Sequence, residues 1–216
     1  FLSVHGLPGN PTKETLGDER WVENGPFELS PERGRFAQTF SVVEDGSAPF
    51  SVPVARFALP DLGYKEGKYV SLFAPGVSLL SLPGYILGKS LGVSQFGAFL
   101  TAAVFAIFNV VLISLIAKRL GVRGVAVILA PLIFLFATPA FSYASTLYQH
   151  HVSTFLILAS TYILLKSERI LSQAIVWFLY GISIFVDYPN ALMMAPLMIF
   201  AFSKLFKKMR DANRIK

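Results

Sequence analysis

Two acidic side chains in the first third of the chain could act as a general base. Glu32 lies in the first turn of a predicted helix that starts at Ser30-Pro31, and Asp61 lies in the turn sequence Pro-Asp-Leu-Gly. A carboxylate in such a place can deprotonate or orient a hydroxyl group. Each acid also has a simpler explanation, because a first-turn glutamate complements the helix dipole and a turn aspartate bonds its own backbone. Both explanations stay open for both residues.

Basic side chains accompany these two acids. Arg33 and Arg35 follow Glu32, and Lys65 and Lys68 follow Asp61. Arginine and lysine bind phosphate through charge-assisted hydrogen bonds, so these four bases are candidates for substrate binding. Bases scattered along a loop also commonly face solvent or lipid headgroups.

A histidine pair and one more aspartate complete the candidate set. His150 and His151 lie at the start of a predicted helix, where imidazole can bind a metal ion or donate to phosphate. Neighbouring helical side chains point about 100° apart, so both histidines can hardly serve one metal, and an anchoring role at the membrane interface is the alternative. Asp187 precedes Tyr188-Pro189 and either reaches an outer cavity or simply ends a helix. The chain has no cysteine, and the sequence specifies no metal, although a divalent metal ion stays open as a cofactor.

The elements that must position these residues are those of a membrane protein. The chain is 54% hydrophobic with a mean hydropathy of +0.57, and only 15% of its residues are charged, whereas soluble domains carry about 25%. Ten of the thirteen acids lie in residues 1–95, while residues 96–216 hold eleven bases in short clusters between apolar runs. This distribution is typical of a polytopic membrane protein and not of a nucleic-acid-binding surface.

Apolar runs predict five transmembrane helices, although the last two are short for a bilayer that needs about 20 residues. The loops after the first, third and fifth runs are basic, and the other two loops have no lysine or arginine. Because basic loops stay in the cytoplasm, residues 1–95 are predicted to be extracytoplasmic, and the protein is predicted to lie in the plasma membrane. The predicted spans are 96–117, 124–143, 150–165, 170–186 and 191–206.

Residues 76–92 are apolar but contain Pro83-Gly84 and, near their end, Lys89. These features favour a juxtamembrane helix at the outer interface, with a short tilted span as the alternative. Residues 1–75 then form the first extracytoplasmic loop, with a helix from Ser30, a strand at 50–59 and a hairpin at 64–69. The apolar start at Phe1 and the basic end at Lys216 lead us to expect that the chain is part of a longer protein.

Four segments in order carry a resemblance to a known superfamily. They are "ERGRFAQTFSVVEDGS", "LPDLGYKEGKYV", "FAPGVSLLSLPGYILG" and "AKRLG". This order resembles the N-terminal part of GT-C membrane glycosyltransferases, in particular the glycosyltransferase family 39-like branch of protein O-mannosyltransferases and lipid A aminoarabinose transferases. The resemblance covers roughly residues 20–200 and implies an all-α polytopic membrane protein with a mixed extracytoplasmic region at its N-terminus.

The resemblance also implies a function. The expected reaction moves a sugar from a polyprenyl-phosphate donor to an acceptor at the outer leaflet, with Glu32 or Asp61 as the acid of the outer loop. The family customarily has aspartate where this chain has Glu32, and the pair His150-His151 falls near a second acid or metal-contacting group of other members. The expected partners are the lipid-linked sugar and membrane lipids, with no nucleic acid. The alternative function is a non-catalytic membrane subunit or a lipid or solute transporter with the same helix layout.

Overall fold

The computed structural model describes residues 9–18 and 30–214, in which helices dominate and one two-stranded sheet occurs. These residues divide into two compact units. The N-terminal unit comprises the described residues up to Val104 together with Ser142–Gln149. The C-terminal unit comprises Phe105–Phe141 and the described residues from His150 onward. Because helices dominate in the described residues, the predicted helical class is correct.

The N-terminal unit has short helices around one longer helix. Its core is aromatic: Phe36 on the longer helix packs edge-on against Phe57, with ring centroids 6.3 Å apart, and lies 5.9 Å from the ring of Tyr85. All three side chains are at most 1% exposed. The elements are α1 (Lys13–Gly17), α2 (Ser30–Glu44), α3 (Val52–Phe57), β1 (Leu62–Lys65), β2 (Lys68–Ser71), α4 (Gly76–Leu80), α5 (Leu82–Ser90) and the start of α6 (Ser94–Arg119).

The structure confirms a helix at Ser30–Glu44, where one was predicted, and the predicted hairpin. Tyr64 pairs with Tyr69 and Lys65 with Lys68. Glu66 and Gly67 both have positive φ values, +52° and +78°, which is the backbone of a tight two-residue hairpin turn.

The strand predicted at 50–59 is wrong. Val52–Phe57 form α3, and Phe50 is the one residue of 50–59 that makes a β-bridge, to Tyr69. Pro53 occupies the first turn of α3, where its missing N–H costs nothing. Val54 and Phe57 are both fully buried, and this three-residue interval is helical rather than the alternation of a strand. The burial of these side chains against the rest of the unit therefore favours a helix over a strand.

The apolar segment at 76–92 forms two helices, α4 and α5, which meet at Ser81. Tyr85 and Gly88 face the interior. A second face of the same two helices is apolar and exposed, and its members are Leu79, Leu80, Ile86 and Leu87.

Glycines bring α5 and α6 into backbone contact. A Cβ atom built on Gly97 would overlap the carbonyl oxygen of Gly84 and would lie 2.9 Å from Cα of Gly88. Ordinary van der Waals contacts of a Cβ atom begin at 3.4 Å. The close approach of these helices therefore depends on the absence of side chains.

The C-terminal unit starts at Phe105, within α6, the longest apolar helix among the described residues. By length and composition, α6 could cross a membrane, and it is the one helix in the described residues that meets both requirements. The next helices are shorter, and α9 and α10 have 17 residues each, or about 26 Å at 1.5 Å per residue, against a bilayer core of about 30 Å. Its further elements are α7 (Ala126–Phe136), α8 (Ala140–Tyr143, which ends in the N-terminal unit), α9 (His150–Lys166), α10 (Ile170–Val186), α11 (Asn190–Met193) and α12 (Ala195–Arg214).

Two predicted spans differ from the helices observed. The run at 124–143 is interrupted after Phe136, because Pro139 disfavours helix in the residue before it, and α8 restarts at Ala140. The run at 191–206 begins in the single turn of α11, is interrupted at Met194 and continues as α12 to Arg214. By contrast, α9 and α10 match the predicted limits of 150–165 and 170–186 to within one residue.

The two ends of α9 make polar contacts with different segments of the C-terminal unit. At its first turns, His151 bonds the carbonyl of Ala140 and Ser153 bonds Asn190. At its last turn, the carbonyls of Leu164 and Leu165 accept from Lys204 and Arg119. The loops without lysine or arginine thus meet one end of α9, and the basic segments meet the other.

Candidate functional site

The first two turns of α2 carry three of the predicted site residues. Glu32 is 5% exposed and Arg35 is 2% exposed, whereas Arg33 is half-buried. Their positions follow from the helix period, which directs residues three apart to one face. Glu32 and Arg35 therefore point inward, and Arg33 lies nearer the surface.

Arg35 is held by contacts inside the N-terminal unit. Its Nη2 donates to Oε1 of Gln149 at 2.6 Å, and its Nη1 donates to the carbonyl of Pro31 at 3.3 Å. Its guanidinium also lies 4.6 Å from the ring centroid of Phe73, a cation–π distance. These contacts hold the guanidinium of Arg35 inside the unit, so the geometry favours a structural role over the predicted role in binding phosphate.

Sequence reasoning missed Gln149 and Phe73. Gln149 is 114 residues from Arg35 in the chain, so no local pattern signals their contact. Phe73 precedes the Ala74-Pro75-Gly76 segment, which can be recognised in the sequence. The contact of Phe73 with Arg35 cannot be recognised there. Arg35 ties α2 to both segments.

Arg33 reaches the segment that carries Asp61 in the same unit. Nη2 of Arg33 donates to the carbonyl of Leu59 at 3.0 Å, two residues before Asp61. Burial lowers the pKa of Arg33, and the charge of Asp61 acts in the opposite direction. Arginine stays protonated in proteins, so Arg33 is a fixed cation. Nε of Arg33 is buried and has no hydrogen-bond partner among the described residues.

The two predicted lysines lie apart from α2 in the chain, at the hairpin turn. Lys65 is 3.9 Å from Glu66, and both side chains are more than 80% exposed. Lys68 pairs with Lys65 across the hairpin and is also exposed. Exposed pairs of this kind contribute little to stability, so these lysines are free of a strong structural requirement.

The remaining candidates belong to the C-terminal unit. Nε2 of His151 lies 2.8 Å from the carbonyl oxygen of Ala140, which can only accept, so Nε2 carries the proton. Nδ1 then accepts from Nδ2 of Asn109 at 3.2 Å. His151 is 3% exposed with both ring nitrogens engaged, and a metal or phosphate would have to displace one of these bonds. His150 is exposed, and Asp187 is half-buried at the end of α10.

No group of three or more histidine, cysteine or acidic side chains that could hold a metal ion occurs in the part of the chain that the structure describes. The strongest juxtaposition is the bond from Arg33 to the carbonyl of Leu59, which joins α2, with Glu32 next to Arg33, to the segment that carries Asp61. A half-exposed carboxylate can accept a proton from a hydroxyl group, and a neighbouring guanidinium can bind a phosphate oxygen. The site can thus support acid–base chemistry at a phosphorylated substrate.

Comparison with protein-family models, curated proteins and solved structures gives no match to this chain.

Proposed function

We propose that the protein is a membrane glycosyltransferase that moves a sugar from a polyprenyl-phosphate donor to an acceptor at the outer leaflet. The observation that carries the proposal is the hydrogen bond from Arg33, next to Glu32 on α2, to the carbonyl of Leu59 in the segment that carries Asp61. An acid for the acceptor and a cation for the departing phosphate are the two charged groups that this reaction needs.

The make-up of the N-terminal unit supports an outer location for this group. The two segments predicted to be extracytoplasmic, residues 30–95 and the loop at 142–149, belong to this one unit, and the bond between Arg35 and Gln149 joins them. The basic segments meet one end of α9, and the loops without lysine or arginine meet the other end. A chain whose basic loops all lie in the cytoplasm requires this separation.

In the reaction proposed, the acceptor hydroxyl attacks the anomeric carbon of the sugar. A bond from that carbon to the acceptor oxygen forms while its bond to the phosphate oxygen breaks, and polyprenyl phosphate departs. Asp61 takes the acceptor's proton, because its side chain is half-exposed while Glu32 is 5% exposed. Arg33 compensates the phosphate charge, and the exposed apolar face of α4 and α5 contacts the polyprenyl chain.

The test is a transfer assay on membranes with a radiolabelled polyprenyl-phosphate sugar, which compares the parent with Asp61→Asn and Glu32→Gln. Loss of a general base lowers the rate by about 10²–10⁴-fold, so Asp61→Asn should lose at least about a hundredfold. Glu66→Gln is the matched control, because it removes an acid from the exposed hairpin turn. Unchanged transfer in both test variants would refute the site.

The orientation has a separate test that uses the absence of cysteine from the chain. Single cysteines at Glu66 and Lys207, both exposed positions, are treated in intact cells with a membrane-impermeant maleimide. Glu66→Cys should react and Lys207→Cys should react only after the membrane is opened. The opposite pattern would place the acids in the cytosol and end the proposal.

The second candidate is a non-catalytic membrane subunit or a transporter. The internal bonds of Arg35 and His151 favour it, because two predicted substrate-binding residues have structural partners instead. If the protein is a subunit of this kind, Asp61→Asn should leave sugar transfer by the complex that contains it unchanged.

A further inference from the structure

Basic side chains converge on the last turn of α9 in the C-terminal unit. Nε of Arg119 donates to the carbonyl of Leu165 at 3.1 Å, and Nζ of Lys204 donates to the carbonyl of Leu164 at 2.6 Å. Arg119 ends α6, and Lys204 lies in α12. Two cations from different helices thus occupy consecutive carbonyls of one helix terminus, where the helix dipole is negative.

Two further cations lie close to Arg119 in the chain and make no bond to the last turn of α9. Lys118 and Arg123 flank Arg119 in the chain, are exposed, and make no hydrogen bond or ion pair with the described residues. Nη1 and Nη2 of Arg119 likewise have no such bond to the described residues. Among the side chains described around this helix end, Glu168 is the one acid, and it is 82% exposed and 3.9 Å from Lys204. We call Lys118, Arg119, Arg123 and Lys204 the basic cluster.

Exposed aliphatic side chains alternate with the cluster in the segment between α6 and α7. Leu120 is 66% exposed, Val122 37% and Val125 68%. A nucleic acid or an acidic peptide in water would match the charges and leave these aliphatic groups in water. A lipid matches both, since its headgroup phosphate contacts the bases and its acyl chain contacts the aliphatic side chains.

We infer that the basic cluster binds the headgroups of anionic phospholipids in the cytoplasmic leaflet. Lys118 and Arg123 supply charges that the fold does not use, and Arg119 offers its two Nη groups as a fork for phosphate oxygens. The inference rests on the membrane orientation proposed above and not on sugar transfer, so it can fail or hold independently of the enzymatic activity.

Native mass spectrometry of the full chain in detergent tests the inference. The probes are phosphatidylglycerol and phosphatidylcholine with identical acyl chains, and the test variant is Lys118→Gln with Arg123→Gln. The matched control is Lys65→Gln with Lys68→Gln, which removes two exposed bases from the hairpin of the N-terminal unit.

The parent should retain phosphatidylglycerol in preference to phosphatidylcholine. Each base removed should weaken retention of phosphatidylglycerol about fivefold, so the double variant should lose about 25-fold and the control should lose none. Circular dichroism checks the helix content of each variant, and Arg123→Gln alone, with an expected fivefold loss, replaces the double variant if that variant unfolds.

Three results would overturn the inference. One is equal retention of the two lipids by the parent, and another is an equal loss in the hairpin control. The third is displacement of phosphatidylglycerol by a short oligonucleotide at equal phosphate concentration, which would assign the basic cluster to a soluble polyanion.

Discussion

Alanine at Gly97 should separate α5 from the start of α6. The added Cβ atom would overlap the carbonyl oxygen of Gly84 and would lie 2.9 Å from Cα of Gly88, and both neighbours are backbone atoms that no side-chain rotation can move. An ordinary contact begins at 3.4 Å, so the two helices must move apart by about half an ångström or more. Tyr85 lies between the two glycines of α5 and is 1% exposed, so this separation also loosens the aromatic core.

The cost follows from overpacking. A methyl group forced into a closely packed contact costs about 1–3 kcal/mol, whereas alanine in place of a helical glycine contributes about 0.5–1 kcal/mol of helix stability. Comparison with Gly181→Ala removes the contribution of helix stability, because Gly181 is also helical. A Cβ atom at Gly181 meets nothing within 4 Å. The difference between the two variants is therefore about 1–3 kcal/mol, or about 2–12 °C in Tm for a chain of this length.

Thermal unfolding in detergent, followed by size-exclusion chromatography with fluorescence detection, measures this difference. Gly97→Ala should unfold at a lower temperature than the parent, and Gly181→Ala at the same or a higher temperature. Equal Tm values for the two variants would show that α5 and α6 do not approach as closely as the glycines indicate.

Two further predictions concern Tyr85 and the histidine pair. Burial and the 2.9 Å hydrogen bond to Glu44 raise the pKa of Tyr85, so its contribution to stability is complete below the ordinary phenol pKa of about 10 and falls as the pH rises above it. The Tm of the parent should thus decrease more between pH 9 and pH 11 than that of Tyr85→Phe; parallel curves would contradict this. His151→Ala should lower the unfolding free energy by about 2–4 kcal/mol, because it leaves a cavity in place of a buried ring and removes the ring's bonds to the amide of Asn109 and the carbonyl of Ala140, whereas the exposed His150→Ala should change it by less than about 1 kcal/mol in chemical denaturation. Equal losses in the two variants would assign no special role to His151.

Local signals account for what the sequence predicts well. The limits of α9 and α10 follow from apolar runs bounded by Lys166 and by Asp187, and the hairpin follows from the turn residues Glu66 and Gly67. In each case, the deciding residues are near neighbours in the chain. The error at 50–59 has the opposite origin, because a short apolar segment with Pro53 suits a strand edge or a helix start equally well. Its burial against the rest of the unit decides between them.

The same distinction applies to the candidate site. Composition alone sets the charge difference between the two parts of the chain and identifies Glu32, Arg33 and Asp61 as groups that could do chemistry, since these are properties of residue type and position. Only the tertiary structure separates Arg33, which bonds Leu59 near Asp61 in the chain, from Arg35, which bonds Gln149. The physical reason is that a side chain's availability depends on burial and on partners far away in the chain, and residue type specifies neither.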